Sequence, residues 1–346
     1  MFINWALGFR ACGCEVYWLD VVAPNTSPEE LQDAIHRLKT SLKPFGLDRL
    51  ILVDYLSDKV GISAISTADN FGDFDLLFDL RYNLPSRLRK RARRSAFLDM
   101  DPGQLQIALA TGVYPDPKHD LFFSIGSAGT PMARFPDVGK TWIHTHPCVY
   151  LPEWPVYPAP PNAAWTTVAH WWGEGGLDEA GEFPNSKRDG FAPLMDIPSA
   201  VSAPFKLALD ETFGERQWIK DCGFELVNSY EVAATPMHYR NFIQQSLGEF
   251  SAAKPSYVRQ RTGWISDRTV CYLASGKPCV VEHTGPIQSL DCFDKGLHRF
   301  TGRSGAILAL ERVMANYEAE ALSARAIAEA RFDACKICHR ILTLAL

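Results

Sequence analysis

The 346-residue sequence contains no stretch of about 20 consecutive apolar residues, the length that crosses a membrane as a helix. It also lacks an excess of positive charge: its net charge of −5 disfavours nucleic acid and anionic lipid as partners. The N-terminal residues lack the basic segment and the small-residue cleavage site of a secretory signal. We therefore expect a cytoplasmic protein with no membrane span and no nucleic-acid partner.

The nine cysteines are an odd number scattered along the chain, which indicates reduced thiols and not a disulfide framework. Cys335, Cys338 and His339 form the sequence C-K-I-C-H, which has the form of a c-type haem attachment site. Because that chemistry needs export to an oxidising compartment, we interpret both thiols as packing groups on the inner face of the last helix. The chain has no second C-x-x-C and no histidine pair at ligand spacing, so we predict no metal site.

Short apolar runs alternate with amphipathic segments, a pattern typical of an α/β protein. Residues 27–42 predict a helix, with Ser27 at its N-cap and Glu30 at the capping-box position. The apolar runs predict strands of largely parallel sheets. They cover residues 15–22, 74–80, 95–100, 120–126 and 141–146 in the first half of the chain, and 165–172, 204–210, 224–229, 249–254 and 277–284 in the second.

Residues 147–161 carry six prolines, which is too many for a central strand or a helix interior. We interpret this segment as a stiff connection between two Rossmann-like lobes that face a central cleft. The tail from Ser304 is helical in pattern, with apolar residues three and four apart. The predicted organisation is a first lobe over 1–150, a linker over 151–163, a second lobe over 164–325 and a C-terminal helix over 326–346 that packs back on the first lobe.

Residues 263–281, GWISDRTVCYLASGKPCVV, predict a helix whose start faces a negative charge. Ser266 is placed to cap this helix, and Asp267 and Arg268 fall in its first turn. In an open α/β sheet, ligands lie outside the carboxyl ends of the strands, where helix starts present unpaired amides and partial positive charge. Thr284 and Gly285 follow the next strand and are expected to face the same crevice.

Further cations precede this helix. Arg259 and Arg261 lie in the loop ahead of it, and Lys254 ends the predicted strand before that loop. Like charges this close in sequence repel one another unless an anion or acidic side chains lie among them. Two interpretations therefore stay open: the arginines bind a phosphate group, or they pair with acids.

The run from Gly248 to Gly285 resembles the donor-binding half of bacterial glycosyltransferases with the two-lobed GT-B fold. The likeness rests on Gly-Glu-Phe-Ser, on Arg-x-Gly-Trp-x-Ser-Asp-Arg and on Gly-x-Pro-x-Val-Val. It extends weakly through TTVAHWW, the Lys187 segment and PFKLALD, and in the first lobe through GFRACGCEVYWLD, FLDMDPG and DLFFSIG. It implies transfer of a sugar from a nucleotide diphosphate donor, held mainly by the second lobe, to an acceptor held mainly by the first.

The resemblance implies that the leaving diphosphate is stabilised by helix-start amides and fixed cations, without a metal and with no cofactor beyond the nucleotide sugar. The residues assigned to the donor are Lys187, Lys254, Arg259, Arg261, Ser266, Asp267, Arg268, Thr284 and Gly285.

Two features depart from the GT-B pattern. Many enzymes of this fold place a glutamate for the donor ribose five residues before the glycine of Gly-x-Pro, where this chain has Cys271. The given sequence also opens on a helix, whereas the fold normally opens with a strand, so we expect the first strand to be absent from it.

The acceptor hydroxyl needs a base, and Asp101 at the end of a first-lobe strand is our candidate. Asp99 and Glu153 are alternatives, and so are His144 and His146. Asp99 and Asp101 also form an Asp-x-Asp tripeptide of the kind used by some metal-dependent sugar transferases, which alone is a weak signal. The neighbouring Trp171 and Trp172 follow a strand that ends at the crevice, where one stacks on the nucleotide base or both pack in the core.

The basic run at residues 86–95 carries six cations, and we interpret it as a solvated helix face. The predicted function is that of an inverting, metal-independent, hexosyltransferase-like enzyme that acts on an acceptor hydroxyl or other nucleophile. The alternatives are a catalytically silent nucleotide-sugar binding protein and a GT-B-fold sugar-nucleotide epimerase.

Overall fold

The structure is a computed structural model that describes residues 2–23, 26–54, 74–81, 84, 86–173, 175–178, 181–210, 212–287 and 289–346. The first half contains helices α1 (Phe2–Ala11), α2 (Pro28–Leu42), α3 (Ser86–Arg89) and α4 (Gln104–Ala110). Its strands are β1 (Trp18–Val22), β2 (Leu50–Asp54), β3 (Phe74–Asp79), β4 (Ala92–Asp99), β5 (Leu121–Ser124) and β6 (Trp142–His144).

The second half has strands β7 (Trp165–Ala169), β8 (Gly176–Asp178), β9 (Gly181–Phe183), β10 (Phe205–Leu209), β11 (Phe224–Asn228), β12 (Gly248–Ser251), β13 (Cys279–Glu282) and β14 (Leu297–Phe300). Its helices are α5 (Lys187–Phe191), α6 (Ile197–Ala200), α7 (Arg216–Asp221), α8 (Ser229–Val232), α9 (Pro236–Gln244), α10 (Pro255–Arg259), α11 (Asp267–Ala274), α12 (Gly302–Ala315), α13 (Tyr317–Ile327) and α14 (Ala334–Ala345). Short 3₁₀ turns cover Lys43–Phe45, Leu151–Glu153 and Ala192–Leu194, and a π-helical turn covers Ala328–Phe332.

Two parallel sheets organise the molecule, as the apolar runs predict. The first lobe is built on a four-stranded sheet in the order β3-β4-β5-β6, beside the parallel pair β1-β2. The second lobe is built on a six-stranded parallel sheet in the order β11-β10-β7-β12-β13-β14. The antiparallel pair β8-β9 is separate from both. The predicted capping box of α2 is confirmed, because Ser27 and Glu30 each accept the other's backbone N–H.

The core of the second lobe surrounds β7, β10 and β12. Phe205 and Phe250 pack edge to face with ring centroids 5.5 Å apart, and Phe250 stacks on Phe300 of β14 at 6.0 Å. The β14 segment LHRF contains His298 and Arg299 between its apolar ends, so no apolar run in the sequence marks it as a strand. This edge strand is one of several elements that the sequence analysis does not predict; the others include β2, the pair β8-β9 and α10.

The chain passes between the two sheets twice, and the two crossings are paired. Val149 donates its N–H to Phe332 O at 2.8 Å and accepts from Ala334 N at 3.0 Å. The second crossing leads into α14, which packs on α1: a Cβ built at Gly8 would lie 2.6 Å from the Sγ of Cys338. Cys338 is fully buried there, as a packing group. The exact lobe boundaries stay predictions.

No described helix is long and apolar enough to cross a membrane. The basic run at 86–95 forms the short helix α3 and the first part of β4. The prediction that the whole run is a solvated helix face is therefore wrong for its second half. That half begins the central strand β4, which pairs in parallel with β3 and β5.

Candidate functional site

A cavity of about 810 Å³ lies where carboxyl ends of strands from both sheets meet. The ends of β4, β7 and β12 reach it through Asp101, Ala169 and Lys254, and the start of α11 forms part of its wall. Such edges of parallel sheets are where α/β proteins bind ligands. Six of the ten predicted site residues line the cavity: Asp101, Lys187, Lys254, Ser266, Asp267 and Arg268.

Ser266 caps α11 as predicted. Its backbone is extended (φ −70°, ψ 139°), and its Oγ accepts the N–H of Arg268 at 3.2 Å. Asp267 begins the helix, and burial raises the pKa of its carboxyl group. The predicted anion-binding site therefore has an acidic residue, Asp267, in its lining.

Arg268 points inward along the helix start and joins the second-lobe sheet. Its Nε lies 2.6 Å from Glu249 Oε1, and its two terminal nitrogens donate to Val168 O at 2.7 Å and to Ser251 Oγ at 2.9 Å. Glu249 is completely buried. Of the two interpretations left open by the sequence, acid pairing holds for Arg268, and three of its five N–H donors are used in the fold.

Two lysines complete the cationic wall. Lys187 begins α5, is buried, and donates from Nζ to Ala252 O. Burial, followed by the charges of Arg268 and Lys254, lowers the pKa of Lys187 to about 7. Lys254 caps α10, and among the described residues its Nζ has no hydrogen bond or ion pair. A cation without a partner at the cavity wall is suited to bind an anion.

Asp101 faces the cavity from the first lobe. Tyr257 of the second lobe donates its hydroxyl to Asp101 Oδ1. The ring of Tyr257 is stacked on Trp264 at 4.4 Å and 3°. The candidate base is thus held by a side chain from across the cleft.

The other four predicted residues do not line the cavity. Arg259 pairs with Asp178 at 2.6 Å and lies over the Phe183 ring at 4.0 Å. The main chain of Arg261 takes a left-handed conformation (φ 52°), and its carbonyl accepts from Ser127 Oγ of the first lobe at 2.9 Å.

Thr284 is buried and donates to Trp264 O at 2.7 Å. Gly285 has φ 118°, and a Cβ there would lie 2.8 Å from Arg261 O, so the close approach of these two loops requires glycine. Thr284 and Gly285 support the loop before α11. Their assignment to the donor stays a prediction, as do those of Arg259 and Arg261.

The alternative bases are differently placed. Asp99 is fully buried and accepts from Gln106 Nε2 at 2.8 Å and Ser124 Oγ at 3.1 Å, and burial raises its pKa to about 7. Glu153 lines the cavity but pairs with Arg240 at 2.7 Å. Both carboxylates therefore hold structure together.

His144 and His146 lie outside the cavity lining, with ring centroids 4.8 Å apart. Burial lowers the pKa of both, that of His146 to about 3, so both are neutral at pH 7. Trp171 is a core residue whose Nε1 donates to Glu215 at 2.8 Å. Trp172 is exposed and contacts Phe213, with ring centroids 6.4 Å apart.

Glu249, Tyr257 and Asn4 are site residues that sequence reasoning missed. Glu249 is detectable in principle, since a charged residue on the buried strand β12 requires a buried partner. Asn4 of α1 accepts from Tyr150 N and Trp154 Nε1, both at 3.2 Å, and donates to Cys271 Sγ at 3.7 Å. Cys271, at the expected glutamate position, lines the cavity and is tied to α1.

No protein-family model and no curated protein sequence matches this chain. Its fold matches solved structures over nearly its whole length. An alpha-glucosyltransferase solved with UDP matches with a TM-score of 0.61 at 12% identity, covering 99% of this chain and 94% of that one. The Anabaena protein HepE, solved with UDP-glucose, matches with a TM-score of 0.54 at 13% identity, covering 95% and 98%.

Sucrose-phosphate synthase from Thermosynechococcus elongatus matches with a TM-score of 0.53 at 9% identity, covering 95% of this chain and 98% of that one. The chain therefore has the GT-B fold, with two Rossmann-like lobes facing a cleft and helices at its C-terminal end. The predicted resemblance to GT-B glycosyltransferases is confirmed for the fold, and at these identities the likeness extends to the fold alone.

Proposed function

We propose that this protein transfers a sugar from a nucleotide diphosphate donor to an acceptor hydroxyl, with inversion and without a metal ion. The observation that carries the proposal is the cavity wall around Lys187, Lys254 and the start of α11, which faces Asp101 across the cleft. The fold neighbours solved with UDP or UDP-glucose support the choice of a uridine nucleotide as the first probe.

In this mechanism the diphosphate lies against the amides of α11 and the two lysines, whose charge stabilises the negative charge that develops on the leaving group. The acceptor oxygen attacks the anomeric carbon from the opposite face. Its bond to that carbon forms as the bond from the carbon to the phosphate oxygen breaks. The acceptor proton passes to Asp101, and the nucleoside diphosphate leaves with the electron pair of the broken bond.

A direct test measures the binding of UDP-glucose by calorimetry and the release of UDP with and without acceptors. We expect binding, and slow UDP release even without an acceptor. The variant Lys254→Met should bind about tenfold more weakly, because it loses a charge-assisted contact to the diphosphate. Lys206→Met is the matched control, since Lys206 of β10 lies outside the cavity lining and pairs at 3.1 Å with Glu225 of the edge strand β11.

The proposal fails if neither UDP-glucose nor any other nucleotide sugar in a panel binds, or if Lys254→Met binds like wild type. A second candidate function is a silent nucleotide-sugar binding protein. It is favoured by the hydrogen bond from Tyr257, which occupies one carboxylate oxygen of Asp101. Of the candidate bases among the described cavity residues, Asp101 alone is free of an ion pair, because Glu153 pairs with Arg240. Tight binding without UDP release under any acceptor condition would support that function.

A further inference from the structure

The two walls of the cavity differ in chemistry. The second-lobe wall carries the charged groups Lys187, Lys254, Asp267 and Arg268, and also Arg240, which pairs with Glu153. The described first-lobe wall is mainly apolar. Its apolar members are Phe2, Ile3, Leu7, Phe45, Leu80 and Met100.

Few polar groups interrupt this apolar wall. Among the described first-lobe residues that line the cavity, they are Asn4, Ser41 and Asp101. The side chain of Asn4 is already bonded to Tyr150, Trp154 and Cys271. On the described part of this wall, the side chains left to bind a ligand hydroxyl are therefore those of Ser41 and Asp101.

The apolar wall is fixed by packing behind it. Leu7 and Phe45 belong to one buried cluster, against which Ile3 packs. Leu80 and Met100 pack against the cluster that contains Trp5 and Phe9. A surface supported in this way exists before a ligand arrives, so a bound apolar group need not order it first.

We infer that the acceptor has an apolar body, such as an alkyl chain or an aromatic ring, and presents one hydroxyl group to Asp101. This inference rests on the proposed function, in which the charged wall takes the diphosphate. A bare sugar placed on the first-lobe wall would lose hydrogen bonds from most of its hydroxyls to water and regain few. An apolar body instead gains free energy by leaving water.

The test uses 4-alkylphenols from 4-methylphenol to 4-butylphenol, titrated by calorimetry into the full-length protein with and without saturating UDP. Each added methylene should strengthen binding about two- to fourfold, in line with the transfer free energy of a CH₂ group. Methyl glucoside, which is polar and of similar size, should bind more weakly than 4-butylphenol by tenfold or more.

Substitutions locate the site. Met100→Gln keeps the length of the side chain but adds an amide, and it should weaken 4-butylphenol binding about fivefold or more. Met100→Leu should stay within twofold of wild type. Leu80→Asn provides a second polar variant, and circular dichroism with thermal melting checks the folding of each.

The inference is overturned if affinity does not rise with alkyl length, if methyl glucoside binds as tightly as 4-butylphenol, or if Met100→Gln and Leu80→Asn are both folded and bind like wild type. These outcomes are separable from failure of the proposed function. Loss of nucleotide-sugar binding with intact alkylphenol binding contradicts the transferase proposal alone. Nucleotide-sugar binding with no alkylphenol binding contradicts the acceptor assignment alone.

Discussion

Arg268 shows how a residue can satisfy a sequence motif and still have a role that the motif does not state. Its position in the first turn of α11 predicts a phosphate ligand, yet its guanidinium group bonds to Glu249, Val168 O and Ser251. These bonds tie the helix start to β7 and β12. Arg268 therefore positions the helix amides, and the lysines are left as the groups best placed to meet an anion.

The ionisation of Lys187 predicts a pH dependence of donor binding. Its lowered pKa of about 7 means that the ammonium form, which attracts a diphosphate, is lost as the pH rises through 7. The affinity for UDP-glucose should therefore fall between pH 6 and pH 8.5 in the wild type. UDP-glucose is the right probe because its diphosphate does not titrate in this range.

Calorimetry of wild type and Lys187→Met across this pH range checks the prediction. The variant should bind more weakly at pH 6 and show a flatter pH profile. Equal slopes for the two proteins would assign the pH dependence to another group.

At this scale the sequence predicted some residues well and others poorly. Ser266 was recognisable as a cap because its role depends only on the next two residues. Arg259 was not recognisable as a partner of Asp178, because that pair joins residues far apart in the chain. Local motifs reveal helix ends, whereas ion pairs depend on tertiary packing.

At the scale of elements, the contact of α1 with α14 depends on one glycine. A Cβ at Gly8 would lie 2.6 Å from Cys338 Sγ and 2.9 Å from Ala334 Cβ, so the two helices approach closely only because Gly8 has no side chain. The Cys338 side chain is fully buried and lies against the Cα of Gly8, where any larger residue would place its Cβ. The contact is thus specified by a small residue on one helix and a thiol on the other.

Gly8→Ala should destabilise the protein by about 1–3 kcal/mol through overpacking, measured as the free energy of unfolding in urea. Gly305→Ala is the control, because its Cβ would lie 3.7 Å from Phe300 Cβ, an ordinary contact, and it should be neutral or slightly stabilising. Adding Cys338→Ala to Gly8→Ala should recover part of the loss. Equal effects of the two glycine substitutions would contradict this account of the helix contact.

Element prediction from the sequence succeeded for the central strands of both sheets, but it missed β2, although residues 50–53, LILV, are a continuous apolar run. Strand β10 (FKLAL) is a mainly apolar run, as expected for a parallel strand buried on both faces. Strands β7 (WTTVA) and β12 (GEFS) contain buried polar residues and were predicted within the longer segments WTTVAHWW and EFSAAK. The edge strand β14 was missed because His298 and Arg299 occupy its middle positions. Helix α10 was missed because its five residues, which begin with Pro255, are too few to show a helical period.

At the scale of the whole molecule, residues 257–263 of the second lobe lie against the first lobe. Ser127 donates its N–H to Thr262 O at 2.6 Å, and Arg134 donates its N–H to Gln260 O at 2.9 Å. Tyr257 adds the bond to Asp101. This segment therefore contributes both to the contact between the lobes and to the position of the candidate base.

Tyr257→Phe should lower the transfer rate at saturating substrates about tenfold while it leaves the affinity for UDP-glucose within twofold, because it removes the bond that orients Asp101. Steady-state kinetics together with calorimetry separates the two quantities. Tyr230→Phe is the control, since Tyr230 is 63% exposed. Unchanged turnover in Tyr257→Phe would show that Asp101 needs no partner from the second lobe.

The two passages of the chain between the lobes lie side by side, joined through Val149 by two main-chain hydrogen bonds. Two neighbouring covalent connections form a hinge: they permit the lobes to rotate about the line between them and resist sliding or separation of the lobes. A protease that nicks either passage therefore leaves the halves attached through the other. Relative movement of the lobes is accordingly directed toward opening and shutting of the cleft.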